Sequence, residues 1–296
     1  MTRRLPALAL ALALALALAA PPLHAFCRTT EPLTPPPFCE RGDPVAWPVA
    51  CVGLALNARG LAAPTPAEQD LSDLLRAHLP RAADAWSDAP CAPSLRFALA
   101  PDVALDEGLA ADGRNVVSVN RRWGPDPYHL PGVIAITVVT TDADTGALLD
   151  ADVELDARAP GNPLGYPFGD GAPSWGVADL PTVLLHELGH VAGLAHSDRA
   201  DAVMAAGTGD VERQGRALTP DDARGVCASY PGSVSRPRPQ RGCAPQRPVA
   251  PPIAITGGMA CALSRPVRAH PTLAAAAIVV VAAVRRRRRR EKETPR

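Results

Sequence analysis

The stretch HELGHVAGLAHS holds three of the seven histidines in the chain, together with one glutamate. On a helix, residues four apart lie on the same face, so His186 and His190 can reach one metal ion. Glu187 stands beside them, and Gly193 can take the backbone conformation that ends a helix. The turn that follows can bring His196 to the same ion. The spacing therefore predicts a metal site with three imidazole ligands and a carboxylate at its side.

Such a site has hydrolytic chemistry. Three neutral imidazoles leave one position open on a tetrahedral zinc ion, which is typical of catalytic rather than structural sites. Zinc lowers the pKa of a water ligand from ~15.7 to about 7. Glu187 is placed to accept the proton of this water and to deliver it later to a leaving amine. We therefore expect peptide-bond hydrolysis without a covalent enzyme intermediate.

Three predicted helices surround or carry this stretch. Leu180–Ala192 has helical character and follows Asp179, a good N-cap residue. Ala67–Leu79 places its leucines on one side of a helix, and Pro80 should end or kink that helix. Thr219–Tyr230 opens on the capping sequence Thr-Pro-Asp-Asp. The zinc-binding stretch is thus expected on the second half of a central helix.

Apolar runs on both sides of these helices predict strands. Val133–Thr141 is rich in β-branched residues, and Ala147–Leu155 alternates between apolar and polar residues. The sequence DADTG between them has turn chemistry, which predicts a hairpin. Further strand-like segments are Trp47–Leu56, Ser94–Ala100 and Asn115–Val119.

These motifs together resemble a known family. HELGHVAGLAH matches the HExxHxxGxxH signature of the metzincin metalloproteases. Met204, in DAVMAA, fits the methionine turn of that clan, and LTPDDARGVCASYP resembles the C-terminal helix of the matrixins. The sequence GALLDADVELDA resembles a strand of bacterial matrixin-like proteins. The resemblance implies that His186, His190 and His196 bind one catalytic zinc, that Glu187 is the general base and that Met204 underlies the metal.

The same resemblance implies a fold. We expect an α+β fold, a mixed α/β sandwich, with a twisted mixed sheet, an active-site helix, a methionine turn and a C-terminal helix. The catalytic domain should span residues 43–231. Val133–Thr141 would be the edge strand on which an extended peptide substrate pairs. An interior strand is the alternative that the sequence alone leaves open.

Metals other than the catalytic zinc are less clearly indicated. Calcium ions are common in the family, and oxygen ligands could come from five aspartates, Asp142, Asp144, Asp150, Asp152 and Asp170. Acidic loops are also often simply solvated. Animal matrixins hold a second, structural zinc through three histidines and an aspartate. Upstream of His186 only His78 and His129 remain in the expected mature chain, so we do not expect that second site.

Both ends of the chain resemble processing signals. Residues 1–25 combine two early arginines, an Ala/Leu run and a short polar end, which is typical of a cleaved secretory signal peptide; an uncleaved anchor is the alternative. Residues 26–42 form a Cys/Pro-rich lead-in, and residues 232–262 form a Pro/Arg-rich linker. In residues 263–296 an apolar stretch precedes six arginines, an order similar to the Cys-containing sorting tails of myxobacterial surface proteins. A permanent membrane helix is the alternative, although the stretch is shorter than the ~20 residues that span a bilayer.

An exported protein is expected to form disulfides. The chain has seven cysteines, and Cys261 stands apart from the other six. The resemblance to the sorting tails implies that Cys261 is the processing or anchoring point of the tail. The six allow fifteen pairings, which the sequence does not distinguish. The net charge of zero gives no support for nucleic-acid binding.

We therefore expect a monomeric zinc endopeptidase that acts on protein or peptide substrates, is secreted or tethered at the cell surface, and binds no nucleic acid. A non-catalytic surface protein that keeps zinc only for stability is the competing hypothesis. A peptidase from another metzincin branch is a third.

Overall fold

The computed structural model describes residues 27–28, 30–31, 43–61, 66–90, 94–106, 108–123, 129, 133–142, 145–157, 168–171, 177–206, 216–231, 243, 258–262 and 282–284. The predicted signal peptide and most of the linker and the tail lie outside these residues. The helices are α1 (Ala58–Leu61), α2 (Pro66–Ser87), α3 (Leu180–Val191) and α4 (Pro220–Ser229). The strands are β1 (Cys27–Arg28), β2 (Thr30–Glu31), β3 (Asp43–Pro44), β4 (Cys51–Leu56), β5 (Arg96–Leu99), β6 (Asn115–Asn120), β7 (Val133–Asp142), β8 (Leu148–Asp156), β9 (Phe168–Gly169), β10 (Ala178–Asp179), β11 (Leu194–Ala195), β12 (Gly258–Ala262) and β13 (Ala282–Val284).

A mixed sheet of five strands, in the order β7-β8-β6-β4-β5, forms the centre of the fold. Strand β4 runs parallel to β5 and β6, and β6 runs parallel to β8. Strand β7 is antiparallel to β8. The sheet and its helices confirm the predicted mixed α/β fold class.

The hairpin predicted around DADTG is also confirmed. The antiparallel pairing of β7 and β8 runs from Ala135 opposite Leu155 to Thr141 opposite Leu148. Gly146, in the turn, has a φ of 68°, which only glycine adopts without strain. On its other side β7 is bordered by β12, in antiparallel pairing, and by β13, in parallel pairing. Strand β7 is therefore one of the two outer strands of the central five, and the C-terminal strands β12 and β13 cover its outer edge.

The sequence predicted that α2 would end or kink at Pro80. The helix does not end there but continues to Ser87. Proline in a helix interior removes one backbone hydrogen bond. Packing on both sides of Pro80 offsets this loss, because Leu75 and Leu79 before it and Trp86 after it are buried at 0–1% exposure. The indole Nε1 of Trp86 donates to the carbonyl of Leu185 at 2.8 Å, which joins α2 to α3.

The main hydrophobic core contains residues of the sheet, α2 and α3. Three short strand pairs lie outside the sheet: β1 with β11, β2 with β3, and β9 with β10. The first of these pairs attaches the N-terminal lead-in to the segment that follows α3. Among the described residues, none of the helices has the length and apolar content needed to cross a membrane.

At least two disulfides stabilise the fold, as expected for an exported protein. Cys51 in β4 is bonded to Cys243, with their Cα atoms 5.3 Å apart. Cys227 in α4 is also disulfide-bonded. The first bond attaches the Pro/Arg-rich linker to β4, the strand next to the edge strand β5. The pairing of the other cysteines stays open.

Candidate metal centre and active site

Helix α3 carries the first two of the three predicted zinc ligands, His186 and His190, and both of its ends are fixed. Asp179 is the N-cap, as predicted, and accepts a hydrogen bond from the backbone N–H of Thr182 at 3.2 Å. After the helix, Gly193 adopts a φ of 85°. A Cβ atom at Gly193 would lie 2.3 Å from the carbonyl oxygen of Val45. Glycine is therefore required there for backbone conformation and for space, and the turn it makes leads the chain to His196.

The three predicted histidines converge at one point. The Nε2 atom of His196 lies 3.2 Å from the Nε2 atoms of both His186 and His190. In the part of the chain that the structure describes, these three form the only group of His, Cys, Asp or Glu residues arranged to hold a metal ion. All three side chains are buried.

Hydrogen bonds fix the tautomers of two of these rings. Nδ1 of His186 lies 2.7 Å from the carbonyl oxygen of Val203, and Nδ1 of His190 lies 2.8 Å from that of Leu194. A carbonyl oxygen only accepts, so Nδ1 carries the proton in both rings. In the neutral rings the Nε2 atoms are then bare lone pairs, which face one another and cannot hydrogen-bond among themselves.

Zinc fits this arrangement. Two nitrogen atoms at the usual ~2.0–2.1 Å from a tetrahedral zinc lie about 3.3–3.4 Å apart. The 3.2 Å separations agree with that value. The donor set of three neutral imidazoles is also one that zinc prefers. A cation at their centre would satisfy the buried lone pairs.

The electrostatics of the site keep the imidazoles neutral. Burial lowers the pKa of His186, and burial together with the neighbouring imidazoles lowers the pKa of His190 well below its usual value. Burial and His186 bring the pKa of His196 to about 3. A metal ligand must be deprotonated at the coordinating nitrogen, so this environment favours metal binding at neutral pH.

Glu187 is fully buried and is held by a residue that the sequence analysis did not identify. Thr137, in β7, donates a hydrogen bond from Oγ1 to Oε2 of Glu187 at 2.5 Å. The other carboxylate oxygen, Oε1, has no hydrogen-bond partner among the described residues. Burial raises the pKa of Glu187 to about 8, an effect that the bond from Thr137 opposes and that a nearby divalent cation would also oppose. The carboxylate thus has one anchored oxygen and one unengaged oxygen.

Met204 packs directly beneath α3. Its backbone carbonyl accepts a hydrogen bond from the N–H of Ser197 at 2.6 Å. A Cβ atom placed on Gly189 would lie 2.2 Å from Sδ of Met204 and 2.7 Å from the Trp86 ring. The absence of a side chain at Gly189 therefore allows the methionine turn and α2 to approach the metal-binding helix closely.

Helix α4 holds the turn around Met204, here called the methionine turn, in place. The Asp222 carboxylate accepts hydrogen bonds from the backbone N–H groups of Val203 and Met204, both at 3.0 Å. It also forms the predicted capping box with Thr219. Asp221 accepts a hydrogen bond from the hydroxyl of Ser197 at 2.7 Å. The two aspartates thus bind both sides of the loop between His196 and Met204.

A second set of bonds closes the C-terminal end of α3. The indole Nε1 of Trp47 donates to the carbonyl of Val191 at 2.7 Å, and the hydroxyl of Tyr230 donates to that of Ala192 at 3.0 Å. The Tyr230 hydroxyl also accepts from the backbone N–H of Trp47 at 3.0 Å. Carbonyl groups that a helix end leaves unpaired are thus satisfied by residues from both ends of the domain.

The acidic residues considered for calcium are engaged in other contacts. Asp150 accepts a backbone hydrogen bond from Gly113 at 2.7 Å, and Asp152 accepts bonds from Ala110 at 2.8 Å and Val116 at 2.9 Å. Asp144 lies outside the described residues. Calcium binding stays a prediction.

The two upstream histidines each pair with a carboxylate. His78 lies 2.8 Å from a carboxylate oxygen of Asp170. His129 lies 2.7 Å from one of Glu154. The structure therefore places both histidines in polar contacts of their own, away from the zinc-binding cluster.

Comparison with known families agrees with this geometry. Residues 138–231 match the family model of the matrixins, a family of peptidases. The match extends from β7 through α3 to the end of α4 and includes the three histidines, Glu187 and Met204. No curated protein matches the sequence. The matched region and the histidine cluster fit a matrixin-like metzincin, and they indicate a zinc metalloprotease.

Sequence reasoning located the histidines, the glutamate, the glycine turn and the methionine, because these lie within one short segment. It did not find roles for Thr137, Trp47 or Tyr230 at the site, since each reaches α3 from a distant part of the chain. Gly189 left a detectable signal, because a glycine in a helix interior costs about 1 kcal/mol and needs a packing reason.

Proposed function

We propose that the protein is a zinc-dependent endopeptidase that hydrolyses protein or peptide substrates with Glu187 as general base. The observation that carries the proposal is the convergence of three Nε2 atoms beside a carboxylate that retains one unengaged oxygen. A structural zinc site has no need of such a base.

In this proposal the residues of the chain have three roles: metal ligands, a positioning residue and a general base. His186, His190 and His196 would hold the zinc ion, which when bound lowers the pKa of a water ligand and polarises a carbonyl group. Thr137 fixes Oε2 of Glu187 and leaves Oε1 to accept a proton from the attacking water. Glu187 then delivers this proton to the nitrogen of the leaving amine. Burial favours the protonated form of Glu187, whereas a bound cation would favour the unprotonated form that can act as a base.

The decisive experiment compares the zinc-loaded chain with its Glu187→Gln variant on a mixed peptide library. Removing a general base should lower the rate about 10²–10⁴-fold. Both proteins should bind one zinc ion per chain, as measured by elemental mass spectrometry. Asp198→Asn, at an exposed carboxylate near His196, is the matched control and should retain activity.

Two outcomes would contradict the proposal. Equal activity in the chain and in its Glu187→Gln variant would refute the mechanism. Absence of hydrolysis in a fully zinc-loaded protein would favour the competing hypothesis, a surface binding protein that uses zinc for stability. Cleavage preferences from the same library would separate a matrixin from a peptidase of another metzincin branch.

We further propose that the protein is exported as a monomer and held at the cell surface by its C-terminal tail. The Cys51–Cys243 disulfide and the bonded state of Cys227 support an oxidising compartment. The support for the signal peptide and for the sorting tail remains the sequence alone. Mass spectrometry of both termini of the native protein tests cleavage after residue 25 and processing near Cys261.

A further inference from the structure

The outer edge of β7 is occupied by the chain's own C-terminal part. Strand β12 runs antiparallel to β7 along its first half, and β13 runs parallel to its second half. The residue pairs of β12 with β7 are Gly258 with Val138, Met259 with Thr137, Ala260 with Ile136, Cys261 with Ala135 and Ala262 with Val133. This is the edge on which an extended peptide would add as a further strand.

We propose that Gly258–Ala262 is an internal inhibitory segment, which takes the place of a substrate strand on β7 until it is released. The proposal rests on the proposed function, because it concerns access of substrates to the same site. The first argument for it is position. Facing residues of antiparallel strands have Cα atoms about 4.5–5.5 Å apart. Met259 faces Thr137, whose hydroxyl donates to Glu187, so the segment passes beside the general base.

The second argument is the closed state of the site. Glu187 and His190 have no exposed surface, and His186 and His196 are exposed by only 2% and 7%. An endopeptidase must admit an extended peptide to its carboxylate and to its metal. Strand β12 lies against both β7 and α3, on the side from which a strand-like substrate would enter. A substrate strand must therefore compete with β12 for the edge of β7.

The third argument is the tether. The Cys51–Cys243 disulfide fixes the linker on β4, and residues 244–257 connect that point to β12. Four inter-strand spacings of about 4.8 Å separate β4 from β12, or roughly 19 Å. A linker of this length can extend to roughly 50 Å. The linker is therefore long enough to place β12 on β7. A short tether gives an effective concentration in the millimolar range, which favours pairing within one chain.

The experiment uses proline to break the pairing in the full chain. Successive N–H groups along a strand point to opposite edges, so the double variant Met259→Pro/Ala260→Pro removes one ladder donor in either register. We expect kcat/KM for an added fluorogenic peptide to rise about 10-fold or more, since the competing segment is lost. The matched control is Val249→Pro/Ala250→Pro, which places two prolines in the linker before β12 and should leave the activity unchanged.

Hydrogen exchange gives a readout that does not depend on activity. In the Glu187→Gln background, amides of residues 133–138 should exchange faster in the β12 proline variant than in the linker control. Unchanged exchange would overturn the proposal, whether or not the protein hydrolyses peptides. Equal hydrolysis by the two proline variants would refute the inhibitory role alone. Faster exchange without hydrolysis by any variant would refute the proposed function and the inhibitory role with it.

Discussion

Thr137, in the sheet, orients the carboxylate of Glu187 on helix α3. Its hydroxyl lies 2.5 Å from Oε2 of Glu187 and 3.3 Å from the Glu187 carbonyl oxygen. A fully buried carboxylate with only one donor depends strongly on that donor. Thr137 is therefore a positioning residue for the proposed general base.

Replacing Thr137 by valine should lower kcat with little change in KM. Valine has nearly the same shape but no hydroxyl, so Oε2 of Glu187 would lose its partner. A hydrogen bond to a charged group contributes about 1.5–3 kcal/mol, which corresponds to a loss of roughly 10- to 100-fold in rate. Steady-state kinetics of the zinc-loaded variant test this expectation. Thr137→Ser, which keeps a hydroxyl, should recover most of the activity; a serine variant as impaired as the valine variant would contradict the role.

At this scale the sequence was informative only within the segment around α3. His186, His190 and His196 could be predicted to converge because helical periodicity and one glycine turn relate them. The bond between Thr137 and Glu187 joins residues 50 positions apart, so local periodicity carries no signal for it. The pairing depends on how the hairpin of β7 and β8 is laid across α3.

At the scale of secondary-structure elements, α3 and the turn around Met204 lie in close contact at Gly189. The gap at Gly189 is filled by Met204 on one side and by Trp86 on the other. Trp86 is itself held by its bond to Leu185, and Met204 by its bond to Asp222. The Trp86 ring therefore cannot move freely to make room, and the Met204 side chain is itself buried at 2% exposure.

The Gly189→Ala variant should therefore be less stable, although alanine is the better helix former. Overpacking a tight interface costs about 1–3 kcal/mol, which exceeds the 0.5–1 kcal/mol gained from helix propensity. We also expect weaker zinc binding, because α3 and the methionine turn would separate. Urea unfolding and competition with a chelator measure the two effects. Gly53→Ala is the matched control, since its new Cβ would meet only Ala100 at 3.8 Å; similar losses in both variants would contradict the argument.

Element boundaries could be predicted where capping residues mark them. Asp179 and Thr219 begin α3 and α4 as the sequence indicated. The end of α2 could not be placed, because burial of Leu79 and Trp86 outweighs the local cost of Pro80. Tertiary packing, which the local sequence does not display, decided that boundary.

At the scale of the whole molecule, the free energy of unfolding should depend on pH through two buried aspartates, Asp150 and Asp152. Burial raises the pKa of Asp150 to about 8, and burial together with Asp150 raises that of Asp152. In the segment before β6, the backbone N–H of Gly113 donates to Asp150 and that of Ala110 donates to Asp152. The native state thus holds protons that the unfolded chain releases near pH 4.

Stability from this pair should be complete below about pH 4 and should be lost as the pH rises through about 8, because the native state binds more protons than the unfolded state. The slope contributed by one proton is at most about 1.4 kcal/mol per pH unit. Asp150→Asn mimics the protonated form and should flatten the decline. Urea unfolding at pH 5 and pH 8 measures the fall in the free energy of unfolding, with Asp84→Asn, at an exposed site on α2, as control. A fall in Asp150→Asn as large as in the unchanged chain would contradict the assignment.

The fold class could be predicted from the sequence, but the long-range contacts that complete the fold could not. The resemblance to the metzincins predicted the mixed α/β fold, and the strand-forming runs, one hairpin and capped helices placed several of its elements. The pairing of β12 and β13 with β7 joins the last part of the chain to its centre, and the Cys51–Cys243 bond spans 192 residues. Contacts of such long sequence separation leave no periodic pattern.

The hydroxyl of Tyr230 also has a consequence for the time at which the site is completed during synthesis. The ribosome releases Trp47 early, α3 later and Tyr230 last, yet the carbonyl of Ala192 needs the Tyr230 hydroxyl. Asp222, which holds Met204, likewise follows the histidines along the chain. A nascent polypeptide that has delivered His196 but not these two residues has only part of its metal-binding scaffold. The described hydrogen bonds that hold Ala192 and Met204 can therefore form only after synthesis of the domain is nearly finished.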